Sequence, residues 1–357
     1  MAHQSTRSEQ TRPATGNHRI LAAAASGVAT FIADNGADPE RVFAASGIDP
    51  ACLTDPLAPL GLSSFVCMME QAARQSGNDN FGLWYGHRFR PEMQGQMGKV
   101  VLASATVGAA LANMAEMFPY HQHATECRLI RAADGLMRME YRILDPSVVA
   151  RRQDAELTLG MVLNVCRHAL GAQWTPERVE FEHLRPEGWL EHERAFGAEV
   201  IFGWRTNAVV FRSAGLDRRM PGANAPAMAA ARRRMVSLGS TRQALGLDDV
   251  VMNEVRARLH EGYPHIEVIA ASVGVPRWTL QRRLVEAGLT FSEAVERVRR
   301  DMATFYLGQA HLSLSEIALS LGYSELSAFT RAFSRWHGVS PAKWRQQAGH
   351  GVRATLC

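Results

Sequence analysis

The chain has 357 residues, of which 46% are hydrophobic, and its 39 basic and 35 acidic residues give a formal charge of +4. This length and apolar content are ample for a packed core and suggest two domains. The weak positive charge does not identify a nucleic-acid partner by itself. Lys99 and Lys343 are the only lysines, an arginine excess that a GC-rich genome would explain as well as nucleic-acid binding would.

The cysteines and the first apolar run place the chain in a reducing compartment. The five cysteines are scattered and form no CxxC pair, which argues against a disulfide framework and a thiolate zinc site. The apolar run 20–33 is too short to span a bilayer and follows a long polar stretch. We therefore expect a cytoplasmic protein in which a disordered tail, 1–17, precedes a first helix at 20–33.

Residues 18–228 mix helical and strand patterns, which predicts an α+β domain. Segments 63–77 and 106–118 carry apolar residues at helical spacing, and 148–171 reads as a long helix ending at Gly171. Two strand patterns, 121–132 and 135–144, are joined through Ala-Asp-Gly, a hairpin signal. Three later segments also have strand character: 178–184, 199–204 and 207–213.

Residues 229–247 form a predicted linker, because the sequence around them is rich in Gly, Pro, Ala and Arg. From there, residues 248–347 show only helical patterns and predict an all-α domain. A tail follows at 348–357.

Two helix-turn-helix units are predicted in tandem within this all-α part. In the first, Gly274 permits a tight bend between two short helices, and Leu280 and Leu284 anchor the second of them. In the second unit, the stretch SEIALSLGYSELSAFTRAFSRWHG places Phe329 and Phe333 four residues apart on an inner face. Residues 291–309 read as one long helix that joins the units.

The segment IALSLGYSELSAFTRAFSRWHGVSPAKWR carries nearly every position of the signature of the AraC/XylS family of bacterial transcription regulators. Residues 248–347 therefore resemble the DNA-binding domain of that family. The stretches FGLWYGHRFRPEMQGQMGKVVLASATVGAALANM and LDRRMPGANAPA are similar to the arabinose-binding-type regulatory domain of the ornithine-utilisation regulator subgroup.

The resemblance implies a ligand-responsive transcription factor, usually an activator, of a neighbouring catabolic operon. The implied partners are double-stranded promoter DNA, RNA polymerase, a small-molecule effector and a second copy of the chain.

Seven side chains are candidates for DNA contact, because they lie on the outward faces of the two predicted recognition helices. Arg282 can bind guanine bidentately, Gln281 suits adenine, and Trp278 can pack on a thymine methyl. Phosphate contact or simple solvation would also explain Arg282. The second units of such domains often contact the DNA backbone and position the protein, and do not read bases. The full predicted set is Arg277, Trp278, Gln281, Arg282, Ser327, Arg331 and Arg335.

Two histidines next to the predicted hairpin suggest a pocket or a metal site. His121 and His123 alternate with Thr125 and Cys127 along one predicted strand face. Since no further residues at metal-ligand spacing follow, we expect a polar strand face and no metal. Tyr120, His121 and His123 are the candidate residues of an effector pocket.

No GxSxG, P-loop, GxGxxG or HExxH motif occurs, so we expect neither an enzyme nor a cofactor. Two alternatives to a ligand-responsive activator stay open at this point. One is a ligand-independent repressor or dimerising DNA-binding protein, and the other is a DNA reader fused to an enzymatic domain.

Overall fold

The computed structural model describes residues 18–239 and 245–350. We call these the N-terminal region and the C-terminal region. The predicted tail 1–17, most of the tail 348–357 and part of the predicted linker lie outside the described residues.

The N-terminal region combines helices with two sheets. Its helices are α1 (Val28–Asp34), α2 (Pro39–Ser46), α3 (Leu62–Ser76), α4 (Phe81–Arg88), α5 (Gly95–Leu102), α6 (Val107–His121), α7 (Arg152–Leu170), α8 (Leu190–Phe196) and α9 (Ala225–Leu238). Its strands are β1 (Arg19–Leu21), β2 (Pro59–Gly61), β3 (Thr125–Arg131), β4 (Met137–Ile143), β5 (Arg178–Phe181), β6 (Glu199–Phe202) and β7 (Asn207–Phe211).

The main sheet has the strand order β3-β4-β7-β5-β6. Its neighbours are antiparallel except β5 and β6, which run parallel. The predicted hairpin is confirmed, since β3 and β4 pair from Thr125 opposite Ile143 to Arg131 opposite Met137. The three later strands are confirmed as well.

Helix α7 is the central element of the N-terminal core. It packs against α4 on one side and against β4 and β7 on the other, and it ends at Gly171 as predicted. Glycines let its backbone touch that of α4. A Cβ added at Gly160 would lie 2.6 Å from the carbonyl carbon of Gly86, and one at Gly82 would lie 2.1 Å from the carbonyl oxygen of Gln153.

The described C-terminal region is entirely helical. Its helices are α10 (Leu247–Arg258), α11 (Ile266–Ser272), α12 (Arg277–Glu286), α13 (Phe291–Leu307), α14 (Leu314–Ser320), α15 (Leu326–His337) and α16 (Pro341–His350). Capping boxes begin two of them, Thr290 with Glu293 at α13 and Ser313 with Glu316 at α14. The predicted joining helix is thus confirmed as α13. The region has its own hydrophobic core, built around α10, α13 and the inner faces of the helix-turn-helix units.

Three local predictions were wrong. The apolar run 20–33 holds β1, a 3₁₀ turn at Ala22–Ala25 and α1 rather than one helix, because Gly27 adopts a φ of 77° and breaks it. Residues 121–124 are not in a strand, since α6 runs on to His121 and β3 begins at Thr125. Helix α9 occupies much of the predicted linker and packs on α5 and α6.

Helix α10 of the C-terminal region contacts the loop between β4 and α7 and strand β4 of the N-terminal region. Asn253 donates a hydrogen bond to the carbonyl of Leu144, and Arg256 donates to the carbonyl of Val149 at 2.9 Å. Arg142 forms an ion pair with Glu254 at 2.9 Å. The middle of the first helix of the C-terminal region, from Asn253 to Arg256, is therefore bonded to the N-terminal region.

Among the helices that the structure describes, none is long and apolar enough to cross a lipid bilayer.

The contact between α4 and α7 predicts the effect of a single methyl group. Gly160→Ala should lower the free energy of unfolding by about 1–3 kcal/mol, because the new Cβ meets backbone that cannot rotate away. Gly61→Ala is the control, since its Cβ would lie no closer than 3.5 Å to the Ser64 side chain. Chemical denaturation of both variants measures the difference, and equal stability would contradict the close approach.

Candidate nucleic-acid interface

The first helix-turn-helix unit is formed by α11 and α12. Gly274 adopts a φ of 71° in the turn, which is left-handed backbone that favours glycine. Leu280 and Leu284 are buried against the core, as their spacing predicted. Burial of this face fixes the opposite face of α12 toward solvent.

The outward face of α12 carries the predicted contact residues. Trp278 is 64% exposed, which is unusual for a large aromatic side chain. The Arg282 guanidinium lies 5.7 Å from the centre of the Trp278 ring and 3.5 Å from Glu286. Arg277 pairs with Glu267 at 2.8 Å, and Gln281 is exposed between them. All four side chains share one solvent-facing surface.

The second unit is formed by α14 and α15. Phe329 and Phe333 are fully buried, with ring centres 5.8 Å apart, so their predicted inner face is confirmed. Ser327 and Arg331 are exposed on α15, and the Ser327 hydroxyl donates to Glu325 at 3.0 Å. Arg335 instead forms an ion pair with Glu296 of α13 at 2.7 Å.

A buried arginine on α13 joins the two units. Arg299 donates to the carbonyls of Leu321 and Gly322, both at 2.8 Å, in the turn of the second unit. Its guanidinium also lies 4.2 Å from the ring centre of Tyr323 and 5.1 Å from that of Tyr263, just before the first unit. One side chain of α13 therefore contacts the turn of the second unit and the segment that leads into the first.

Sequence reasoning missed Arg299, although a signal was present. Arg299 lies on the same face of the predicted helix as Val295 and Met302, where an apolar residue was expected. A charged residue on an apolar face indicates a buried partner, and here the partners are backbone carbonyls that no sequence pattern identifies.

The predicted effector residues lie in different surroundings. His121 is buried at the end of α6, where burial lowers its pKa to about 4, so the imidazole is neutral at pH 7. His123 is half-buried, and its backbone N–H donates to the carbonyl of Arg19 at 2.8 Å. Tyr120 packs on the N-terminal core. They do not share the strand face on which the pocket was predicted, and their role as an effector pocket stays a prediction.

A small cavity of about 40 Å³ lies instead between the two regions. Arg151, Glu182 and His183 line it from the N-terminal side, and Arg256 and Tyr306 from the C-terminal side. Burial lowers the pKa of Arg256 to about 10, which leaves it charged at neutral pH.

With this geometry in place, similarity to known proteins identifies the family. A family model described as the arabinose-binding domain of AraC transcription regulators matches residues 36–220, just over half of the chain. The chain belongs to the AraC family of transcription regulators. A helix-turn-helix domain model matches residues 269–347, which include both predicted recognition helices. The predicted family and the predicted fold class, α+β followed by all-α, are confirmed.

Two relatives match along nearly the whole chain. The transcriptional regulator VirS of Mycobacterium tuberculosis is 28% identical over 328 residues, covering 90% of this chain and 95% of the relative. The ornithine utilization regulator of Pseudomonas aeruginosa is 26% identical over 321 residues, covering 88% and 93%. The crystal structure of the regulator CdpR of Pseudomonas aeruginosa matches 74% of this chain and 86% of its own, at 23% identity and a TM-score of 0.36.

The Arg299 contacts predict a stability effect confined to one position. Arg299→Met should lower the free energy of unfolding of this AraC-family regulator by about 1–3 kcal/mol, because two carbonyls lose their donor inside the protein. Arg300→Met, on the exposed face of the same helix, is the matched control and should change stability little. Thermal denaturation monitored by circular dichroism compares the two, and an equal effect would contradict the joining role.

Proposed function

We propose that this AraC-family regulator reads promoter DNA with α12 and α15, and that its N-terminal region senses a small metabolite and activates a neighbouring catabolic operon. The single observation that carries the DNA assignment is the exposed face of α12. There Trp278 and Arg282 are held outward by two buried leucines. A helix presented in this way suits the major groove.

The length of α13 supports contact with two grooves. Its 17 residues span about 26 Å at about 1.5 Å per residue. Successive major grooves on one face of B-DNA lie about 34 Å apart. Since both units pack in one hydrophobic core with α13, we infer that α12 and α15 enter adjacent grooves.

The proposed contacts differ between the two helices. We assign base reading to Arg282, with Gln281, Trp278 and Arg277 beside it. Ser327 and Arg331 are assigned to the second groove. Arg335 is assigned to phosphate contact, because a carboxylate already holds its guanidinium beside α13.

The remaining partners and the location are inferred from the family and not from the geometry of the structure. We infer that the regulator contacts RNA polymerase, acts as a homodimer and works in the cytoplasm, where bacterial DNA lies. We also infer that it is not an enzyme, since both matching domain models describe regulators.

Specificity at one base pair tests the DNA assignment. Arg282→Ala should weaken binding to the cognate site by about 1–3 kcal/mol and relax the preference at one base pair, because a bidentate contact to guanine is lost. Fluorescence anisotropy with cognate and scrambled duplexes at one salt concentration measures both. Arg88→Ala, an exposed arginine of the N-terminal region, controls for net charge. Equal losses on the two duplexes would reduce Arg282 to a phosphate contact.

Removal of the N-terminal region tests the sensor assignment. A fragment lacking residues 1–240 should still bind the promoter, because the C-terminal region has its own hydrophobic core. It should no longer respond to the inducer in a promoter-fusion assay. Promoter binding by the fragment serves as the internal control for folding, and induction of the bound fragment would exclude the N-terminal region as the sensor.

A further inference from the structure

A cluster of three ligand-type side chains lies inside the N-terminal region, close to its contact with the C-terminal region. Glu156 belongs to α7, His183 follows β5, and His192 belongs to α8. Each offers one ligand atom, and these atoms lie within 4.8 Å of one another. Glu156 and His192 are fully buried, and His183 is 8% exposed.

The hydrogen bonds of His183 fix its tautomer. Its Nδ1 lies 2.9 Å from the carbonyl oxygen of Leu184, so Nδ1 carries the hydrogen and donates it. The Nε2 atom then carries no hydrogen, and its lone pair lies 3.5 Å from Oε1 of Glu156. Oε1 already accepts hydrogen bonds from Arg152 at 2.7 Å and from His192 at 2.8 Å, whereas the lone pair of His183 is buried and has no donor.

The same cluster holds polar atoms without partners. Within the described residues, Oε2 of Glu156, Nε2 of His183 and Nδ1 of His192 are buried and have no hydrogen-bond partner. Such groups are rare in folded proteins, and an ion is one of the ordinary explanations.

We propose that Glu156, His183 and His192 bind one zinc ion. Two histidines and one carboxylate are a common zinc ligand set, with ligand distances of about 2.0–2.2 Å. Two ligands of a tetrahedral ion at those distances lie about 3.4 Å apart. The pair formed by Glu156 and His183 is at that separation, 3.5 Å. Nε2 of His192 donates a hydrogen bond to Oε1 of Glu156 at 2.8 Å. To ligate, His192 changes tautomer, so that its hydrogen moves to the unpartnered Nδ1, and the ring moves outward.

The surroundings of the cluster suit a bound ion. The hydrogen bond from His183 to the Leu184 carbonyl is the support that ligating histidines ordinarily have. Arg152 donates to Oε1 of Glu156 at 2.7 Å and orients the carboxylate. The same guanidinium lowers the pKa of Glu156 and keeps its carboxylate ionised, and it also pairs with Asp79 at 2.8 Å.

The site lies beside a cavity and is enclosed by aromatic rings. His183 and Arg152 line the cavity between the two regions, which gives the ion access from solvent. The rings of Phe181 and Phe202 pack against both histidines, with centre distances of 4.8–5.7 Å. Aromatic walls of this kind exclude water and strengthen the metal–ligand interactions.

The test uses the full-length protein after removal of metal with a chelator. A calorimetric titration with Zn²⁺ alone should show that about one ion binds per chain. His192→Gln and Glu156→Gln should each weaken binding on the order of 100-fold. His87→Gln, another histidine with a buried, unpartnered ring nitrogen, is the matched control and should bind like the unaltered chain.

X-ray absorption on the unaltered, zinc-loaded protein provides a measurement that no folding defect can obscure. The expected first shell contains nitrogen and oxygen at about 2.0–2.1 Å with two imidazole signatures. A sulfur shell at about 2.3 Å would place the ion on cysteines and overturn the proposal. No binding by the unaltered chain, or equal binding by folded His192→Gln, would also overturn it and leave the cluster as a buried ion-pair network.

Discussion

The geometry of the DNA-binding half depends on the guanidinium of Arg299. Both helix-turn-helix units pack in one hydrophobic core with the joining helix. Arg299 adds directional bonds to this packing, because it donates to backbone carbonyls in the turn of the second unit while lying against an aromatic ring that precedes the first. Backbone acceptors leave little freedom for rearrangement, since they cannot change rotamer. The turn of the second unit is thus tied to α13 and to the segment before the first unit.

A close backbone contact at Gly322 also holds the turn of the second unit in place. Gly322 adopts a φ of 74°, and a Cβ there would lie 2.4 Å from the carbonyl oxygen of Gly262. The turn of the second unit therefore rests directly on the segment that leads into the first. Preorganisation of this kind reduces the entropy lost on binding, which would favour the two-groove contact proposed above.

The helical and strand patterns sufficed to predict most elements, because they reflect which face is buried. Helix α7, the β3–β4 hairpin and both helix-turn-helix units follow from apolar spacing and turn residues. The failure at 20–33 is local, since Gly27 breaks the run. Helix α6 continues to His121, where the expected strand began. The arginine-rich α9 is helical because Ala231 and Met235 are buried in the core, a tertiary contact that the local composition does not reveal.

Some of the candidate sites could be predicted from the sequence and others could not. The exposed face of α12 could be predicted because the helix-turn-helix geometry is local and its sequence signature is long. The cluster of Glu156, His183 and His192 could not, since its members come from three elements and have no characteristic spacing. Only the sheet and the position of α8 bring them together. Arg299 is intermediate, because its position on an apolar face signals burial but does not reveal its acceptors.

The bonding of α10 has a consequence for constructing hybrid regulators within this family. The polar groups of α10 are satisfied by carbonyls of the loop between β4 and α7, more than one hundred residues earlier in the chain. A hybrid joined just before Leu247 would separate these donors from the acceptors they fit. Exchanging the loop 144–149 together with the C-terminal region keeps the pair matched, so the natural unit of exchange is discontinuous in sequence.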